Sequence, residues 1–224
     1  LQADLRAGFT SARDMTSHGN GYADVDIRNA INEGRLDGPR FQVAGRGIRW
    51  SATPAKAPEN PLGAIVVRSV EGARAAVREE VDRGVDLIKL YPTGAYSFNA
   101  AGEAQYVLTY PLPVLQALID ETHRLGKKAG CHVYGGEGQK NSIVAGCDTI
   151  EHAFGLDQAQ ADMIVQKGLF YDPTIVRYTE PYMDDVDGKN TGGKYRMIPI
   201  FEKAVTMAAA TRGMKIMVGS GADG

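Results

Sequence analysis

Apolar positions along this chain follow two patterns that alternate. Short runs rich in β-branched residues, GFTSARDM (8–15), PRFQVAG (39–45), DLIKLYP (86–92), KAGCHVY (128–134), DTIEHA (148–153), LFYDPTI (169–175) and KIMVGS (215–220), read as strands. Between them the spacing predicts helices over 24–34, 69–84, 111–126, 137–146, 157–168 and 198–213. The clearest is SVEGARAAVREEVDRG (69–84): Val70, Ala73, Val77 and Val81 recur at helical spacing, Ser69 is a natural N-cap and Gly84 a stop. Two stretches break the rhythm. Residues 46–68, with several Pro and Gly, read as a long loop. VRYTEPYMDDVDGKNTGGKYRM (176–197) reads as a second, which follows a strand and suits a substrate lid.

Strands that each precede a helix imply a parallel sheet with right-handed crossovers. The expected fold is α/β, a TIM-like (β/α)8 barrel in a single domain over 1–224, with seven of its eight strands in this sequence. The eighth βα unit would precede Leu1 and a last helix would follow Gly224, so both ends look cut inside structure. A doubly wound open sheet is the structural alternative, although no Gly-rich phosphate turn follows the first strand.

Composition narrows the partners. A formal net charge of −2, with Lys and Arg spread along the chain, gives no basic stripe, so nucleic acid and anionic membranes are not indicated. No apolar run approaches the roughly 20 residues of a membrane span. A small-molecule or short peptide substrate is expected, in a soluble protein that is cytoplasmic or, had a signal peptide preceded Leu1, periplasmic or secreted. An unpaired strand edge would favour a homo-oligomer. Cys131 and Cys147 lack CxxC spacing and sit in or beside apolar segments, which predicts buried free thiols.

In a barrel, chemistry gathers at the carboxyl ends of the strands. Lys89, His132 and His152 fall there, and Asp223 lies just past the last strand; His18 and His123 do not share the placement. Each has an ordinary reading alone, a solubilising lysine, core histidines, an Asp-Gly turn, but four at successive strand ends point to one site. Two imidazoles and a carboxylate suit zinc, with manganese, iron, cobalt or nickel as alternatives. An ammonium has no lone pair to donate. A lysine amine that adds carbon dioxide, however, becomes an anionic two-oxygen ligand able to bridge two cations.

The segments AGFTSARDM, DLIKLYPTGA, GCHVYG, AGCDTIEHA and GSGADG, in this order, resemble the metal-dependent amidohydrolase superfamily. More narrowly they are similar to its imidazolonepropionase-like and Xaa-Pro dipeptidase-like branch, which includes zinc dipeptidases, carboxypeptidases and hydrolases of N-acyl amino acids. The resemblance implies two divalent ions, Zn2+ foremost, bridged by a carboxylated Lys89. It implies that His132 and His152 bind the more exposed ion, and that Asp223 binds the buried one and acts as base and then acid. The sequence departs from the family at Ala95 and Tyr134, where the family has glycine and histidine, and an ungapped match sets the family's aspartate at Gly221. No H-x-H pair, which the family carries on its first strand, occurs anywhere in the chain. Tyr134, Arg177 and Tyr178 are the candidate substrate contacts. The implied activity is hydrolysis of an amide or peptide bond; the alternatives are a single-metal cyclic amidohydrolase or deaminase of the same superfamily, or a barrel portion with no catalysis of its own.

Overall fold

The computed structural model describes residues 1–52, 61–178 and 191–220, without the side chains of 177, 178 and 191–195. The chain forms two compact units, Leu1–Leu90 with Gln116–Gly130, and Tyr91–Leu115 with Cys131–Gly224. The first holds α1 (Gln2–Arg6), β1 (Ser11–Asp14), α2 (Ala23–Asn32), β2 (Arg40–Val43), β3 (Gly47–Trp50), β4 (Ala64–Val67), α3 (Val70–Asp82) and β5 (Leu87–Leu90). An antiparallel hairpin, β6 (Thr93–Phe98) and β7 (Ala104–Leu108), opens the second. The residues of helix α4 (Leu112–Arg124) and of strand β8 (Lys128–Val133) are shared out, part to each unit. Helix α5 (Gly136–Ala145), β9 (Thr149–His152), α6 (Gln158–Lys167), β10 (Phe170–Asp172), a 3-10 turn (Ile175–Tyr178), α7 (Thr191–Ala210) and β11 (Lys215–Ile216) complete the second.

Seven strands make one sheet in the order β11-β10-β9-β8-β5-β3-β4, and β1 pairs with β2 in a separate two-stranded sheet. The pairs β1–β2, β3–β4, β3–β5, β9–β10 and β10–β11 all run parallel. The expected parallel α/β architecture is therefore present, with different membership: the strand predicted at 8–15 lies outside the large sheet, and β3 and β4 lie inside it.

Three local expectations are corrected. The predicted loop 46–68 contains β3 and β4. The first of these follows a break at Gly45, where φ is +62° and an added Cβ would stand 2.7 Å from a Glu80 carboxylate oxygen, so the residue must be glycine. The hairpin in 93–108 was not anticipated: its turn is closed by Asn99, whose side-chain oxygen accepts from the N–H groups of Ala101 (3.0 Å) and Glu103 (2.9 Å). The loop predicted to run to 197 gives way to helix at 191, because Met197 and Phe201 join Phe154 in a buried cluster and give α7 an apolar face. Helix α3 starts as expected, with Ser69 Oγ accepting from Gly72 N–H at 2.9 Å.

The cysteines overturn a fourth expectation. Cys131, on β8, and Cys147, one residue past the left-handed Gly146 that ends α5, are joined in a disulfide with their Cα atoms 6.2 Å apart. Both side chains are fully buried. No helix of the described residues is long and apolar enough to cross a membrane.

Candidate metal centre

Strands β8 and β9 read KAGCHV and TIEH, apolar or small residues with a histidine near each carboxyl end. Burial of their neighbours leaves the two imidazoles little freedom. His132 is half-buried, and His152 keeps 9% of its surface exposed. The rings converge: His152 Nε2 lies 3.0 Å from His132 Nδ1. Two nitrogens on one tetrahedral zinc, with bonds near 2.0–2.1 Å, stand about 3.3–3.4 Å apart. A shift of a few tenths of an ångström would let an ion take the place of the ring-to-ring hydrogen bond, so the donor pair fits a divalent metal.

The backbone around the pair is strained. His152 has φ +69°, Ala153 +47° and Thr174 +50°, all non-glycine residues in the left-handed region, and such outliers cluster at functional sites. Hydrogen bonds hold them there. Ala153 N–H donates to Val133 O at 2.9 Å and Tyr171 O–H to His152 O at 3.2 Å. Thr174 Oγ1 stands 2.7 Å from His152 Nδ1, and the Thr174 N–H donates to Asp172 Oδ1 at 3.2 Å.

Aromatic rings line one side of the histidines. Tyr134 meets His132 edge-on at 4.5 Å and stacks on Phe154 at 4.8 Å, while Tyr96 of the hairpin packs edge-on against Tyr134 at 5.2 Å. Tyr91 lies 5.5 Å from the His132 ring. Thr93 Oγ1 accepts from Tyr134 N–H at 2.9 Å and anchors that residue at the mouth of β8.

Lys89 sits on β5 in the first unit with 5% of its surface exposed. Asp14, at the end of β1 in the same unit, has its carboxyl raised above the usual range by burial; a hydrogen bond from Thr16 N–H and the charges of His18 and Lys89 pull the other way. Asp24 is raised by burial as well, against hydrogen bonds from Gly45 and Val25 N–H groups. Among the described residues no three His, Cys, Asp or Glu side chains are grouped as a metal site. Asp223 lies outside the described residues, as do the side chains of Arg177 and Tyr178, whose backbone forms the 3-10 turn. Asp172 and Thr174 escaped the sequence reading. The signal for Asp172 was an acid at the carboxyl end of a parallel strand, in LFYDPTI, the placement used to choose the other candidates; Thr174 had none.

The profile of the Amidohydrolase family matches residues 1–218. The chain belongs to that family. Ochratoxinase of Aspergillus niger is 24% identical over 187 residues, which cover 75% of this chain and 38% of ochratoxinase. The crystal structure of a Xaa-Pro dipeptidase with methionine bound in its active site superposes with a TM-score of 0.74 at 26% identity, covering 99% of this chain and 57% of that one. The crystal structure of A. niger ochratoxinase, at 23% identity and a TM-score of 0.79, shares the fold over 97% of this chain and 53% of its own. The fold class of this amidohydrolase chain is thus the α/β barrel of its relatives. It spans between about two-fifths and three-fifths of their length.

Proposed function

We propose that this amidohydrolase-family chain supplies the metal-binding barrel of a hydrolase that cleaves amide or peptide bonds, with a dipeptide, a C-terminal residue or an N-acyl amino acid as substrate. The observation that carries the reading is the convergence of His132 Nδ1 and His152 Nε2 at the carboxyl ends of β8 and β9, on strained backbone, in a chain of this family. The likeness to a Xaa-Pro dipeptidase supports the short-peptide substrate class.

In this reading His132 and His152 hold one divalent ion, with zinc favoured by an imidazole pair. Lys89, carboxylated by carbon dioxide, would supply an anionic oxygen ligand to the metal centre, as the family resemblance implies. Bound divalent ions lower the pKa of water towards neutrality and polarise a carbonyl. Asp223 takes the proton of the attacking water and delivers it to the leaving amine. Tyr134, beside His132, offers its hydroxyl to a substrate carboxylate or a developing oxyanion, and Arg177 and Tyr178 extend that contact.

The test is elemental analysis of the purified natural protein, followed by hydrolysis assays on dipeptides and N-acyl amino acids. About two ions per chain and turnover of an amide are expected, and His152→Ala should lose metal and activity together. A purified natural protein that binds no metal with both histidines intact would remove the basis of the proposal.

A further inference from the structure

We infer that Thr174 is a positioning residue that fixes the tautomer and ring orientation of His152, and so aims its Nε2 lone pair at the metal site. The inference rests on the proposed metal-binding role of His152 but has its own geometry.

Thr174 Oγ1 has one proton and two neighbours, Pro173 O at 2.7 Å and His152 Nδ1 at 2.7 Å. A carbonyl oxygen can only accept, so the hydroxyl donates to Pro173. The oxygen's remaining lone pair then faces His152 Nδ1, which must carry the hydrogen. A neutral imidazole protonated at Nδ1 presents its lone pair at Nε2, the atom 3.0 Å from His132 Nδ1. A partner on the far nitrogen of a ligating histidine commonly sets ring orientation and basicity in this way, but here the partner is a hydroxyl.

The backbone supports a specific purpose for this threonine. Thr174 is β-branched, has φ +50° and is 5% exposed, a combination that β-branched residues avoid. Its N–H is held by buried Asp172, whose carboxylate packs so closely on Gly219 that a Cβ there would come within 2.4 Å of Oδ1. The turn after β10 thus holds Thr174 in the left-handed region with its hydroxyl in contact with Nδ1.

The experiment compares wild type with Thr174→Val, which keeps shape and branching but has no hydroxyl, Thr174→Ala, which has neither hydroxyl nor branch, and Thr174→Ser, which keeps the hydroxyl. In metal-free natural protein, long-range 1H–15N NMR should find His152 protonated at Nδ1 in wild type and Thr174→Ser. It should find His152 moved towards the Nε2-protonated form in Thr174→Val and Thr174→Ala. Chelator competition with Zn2+ should give roughly 10- to 100-fold weaker binding in the two variants without hydroxyl, restored in Thr174→Ser. If one variant fails to fold, the other carries the comparison with serine. An unchanged tautomer and unchanged zinc affinity in a folded variant without the hydroxyl would overturn the inference. If the tautomer changes as expected but no variant, wild type included, binds zinc, Thr174 still positions His152 and the proposed hydrolase function fails instead.

Discussion

Lys89 is buried on β5 with 5% of its surface exposed, where a charge removed from water needs compensation, and its charge already acts on the Asp14 carboxyl. Carboxylation converts that amine into an anion with two oxygen donors, which a pair of cations can compensate. Under the proposed function, Lys89→Ala is expected to lose at least one metal ion and to slow amide hydrolysis by roughly 10- to 100-fold. Metal content and 13C NMR after incubation with labelled bicarbonate measure the two halves of the claim. If content and rate survive the substitution, the ligand role is wrong. The placement of Lys89, His132 and His152 on their strands was legible because a charged or ionisable side chain near the end of an apolar parallel strand stands out against its neighbours, while their roles belong to the proposed function. Thr174 was not, since a threonine after Asp-Pro reads as an ordinary turn residue. Only its positive φ and its hydrogen bonds distinguish it, and neither is written in composition or spacing.

The strand after Gly45 illustrates how packing overrides pattern. In the sequence, residues 46–68 read as loop because Gly and Pro punctuate them; in the fold, β3 is fixed by a buried carboxylate. Arg46 N–H donates to Glu80 Oε2 at 3.1 Å, Tyr22 O–H donates to Glu80 Oε1 at 2.7 Å, and Arg46 Nη2 donates to Tyr22 Oη at 2.8 Å. Burial nevertheless dominates and pushes the Glu80 carboxyl from 4.5 up to about 7, against the hydrogen bonds from Tyr22 and Arg46 and the Arg46 charge. The folded protein therefore holds that proton more tightly than the unfolded chain. Stability is greatest below pH 4.5 as far as Glu80 is concerned and falls as pH rises towards 7, by on the order of 3 kcal/mol, then levels off. Urea denaturation at pH 5, 6 and 7.5 should give that declining slope in wild type and a flatter one in Glu80→Gln. Equal slopes in the two proteins would mean that the carboxyl titrates alike in the folded and unfolded states. Helix α3, which carries Glu80, was legible because its cap and its apolar spacing agree. The hairpin was not, because its two short strands are joined through an Asx-type turn around Asn99 that spacing alone does not mark.

Alternation of strand and helix was enough to read the α/β class and the parallel sheet, because that rhythm follows from burial on both faces of the strands. It could not reveal the covalent tie between Cys131 and Cys147, which depends on how the chain returns from α5 to β9 rather than on any local spacing. The tie matters to the chain as a whole. It closes a loop with a sequence separation of 16, and the restriction this imposes on the unfolded ensemble is worth about 3 kcal/mol. It also couples folding to redox conditions, since disulfides form and persist in oxidising compartments and are rare where glutathione keeps thiols reduced. Because both sulfurs are buried, the folded protein should resist mild reductants, and the bond should yield only on unfolding. Thiol titration in denaturant without reductant should therefore find neither cysteine free in protein made under oxidising conditions. The Cys131→Ala, Cys147→Ala double variant should unfold at lower urea, by about 3 kcal/mol, while it keeps its circular dichroism. Two titratable thiols in the oxidised preparation, with stability equal to that of the double variant, would return the pair to the free thiols that its spacing suggested. The fold of β8 and β9 would then rest on sheet pairing and packing without a covalent tie.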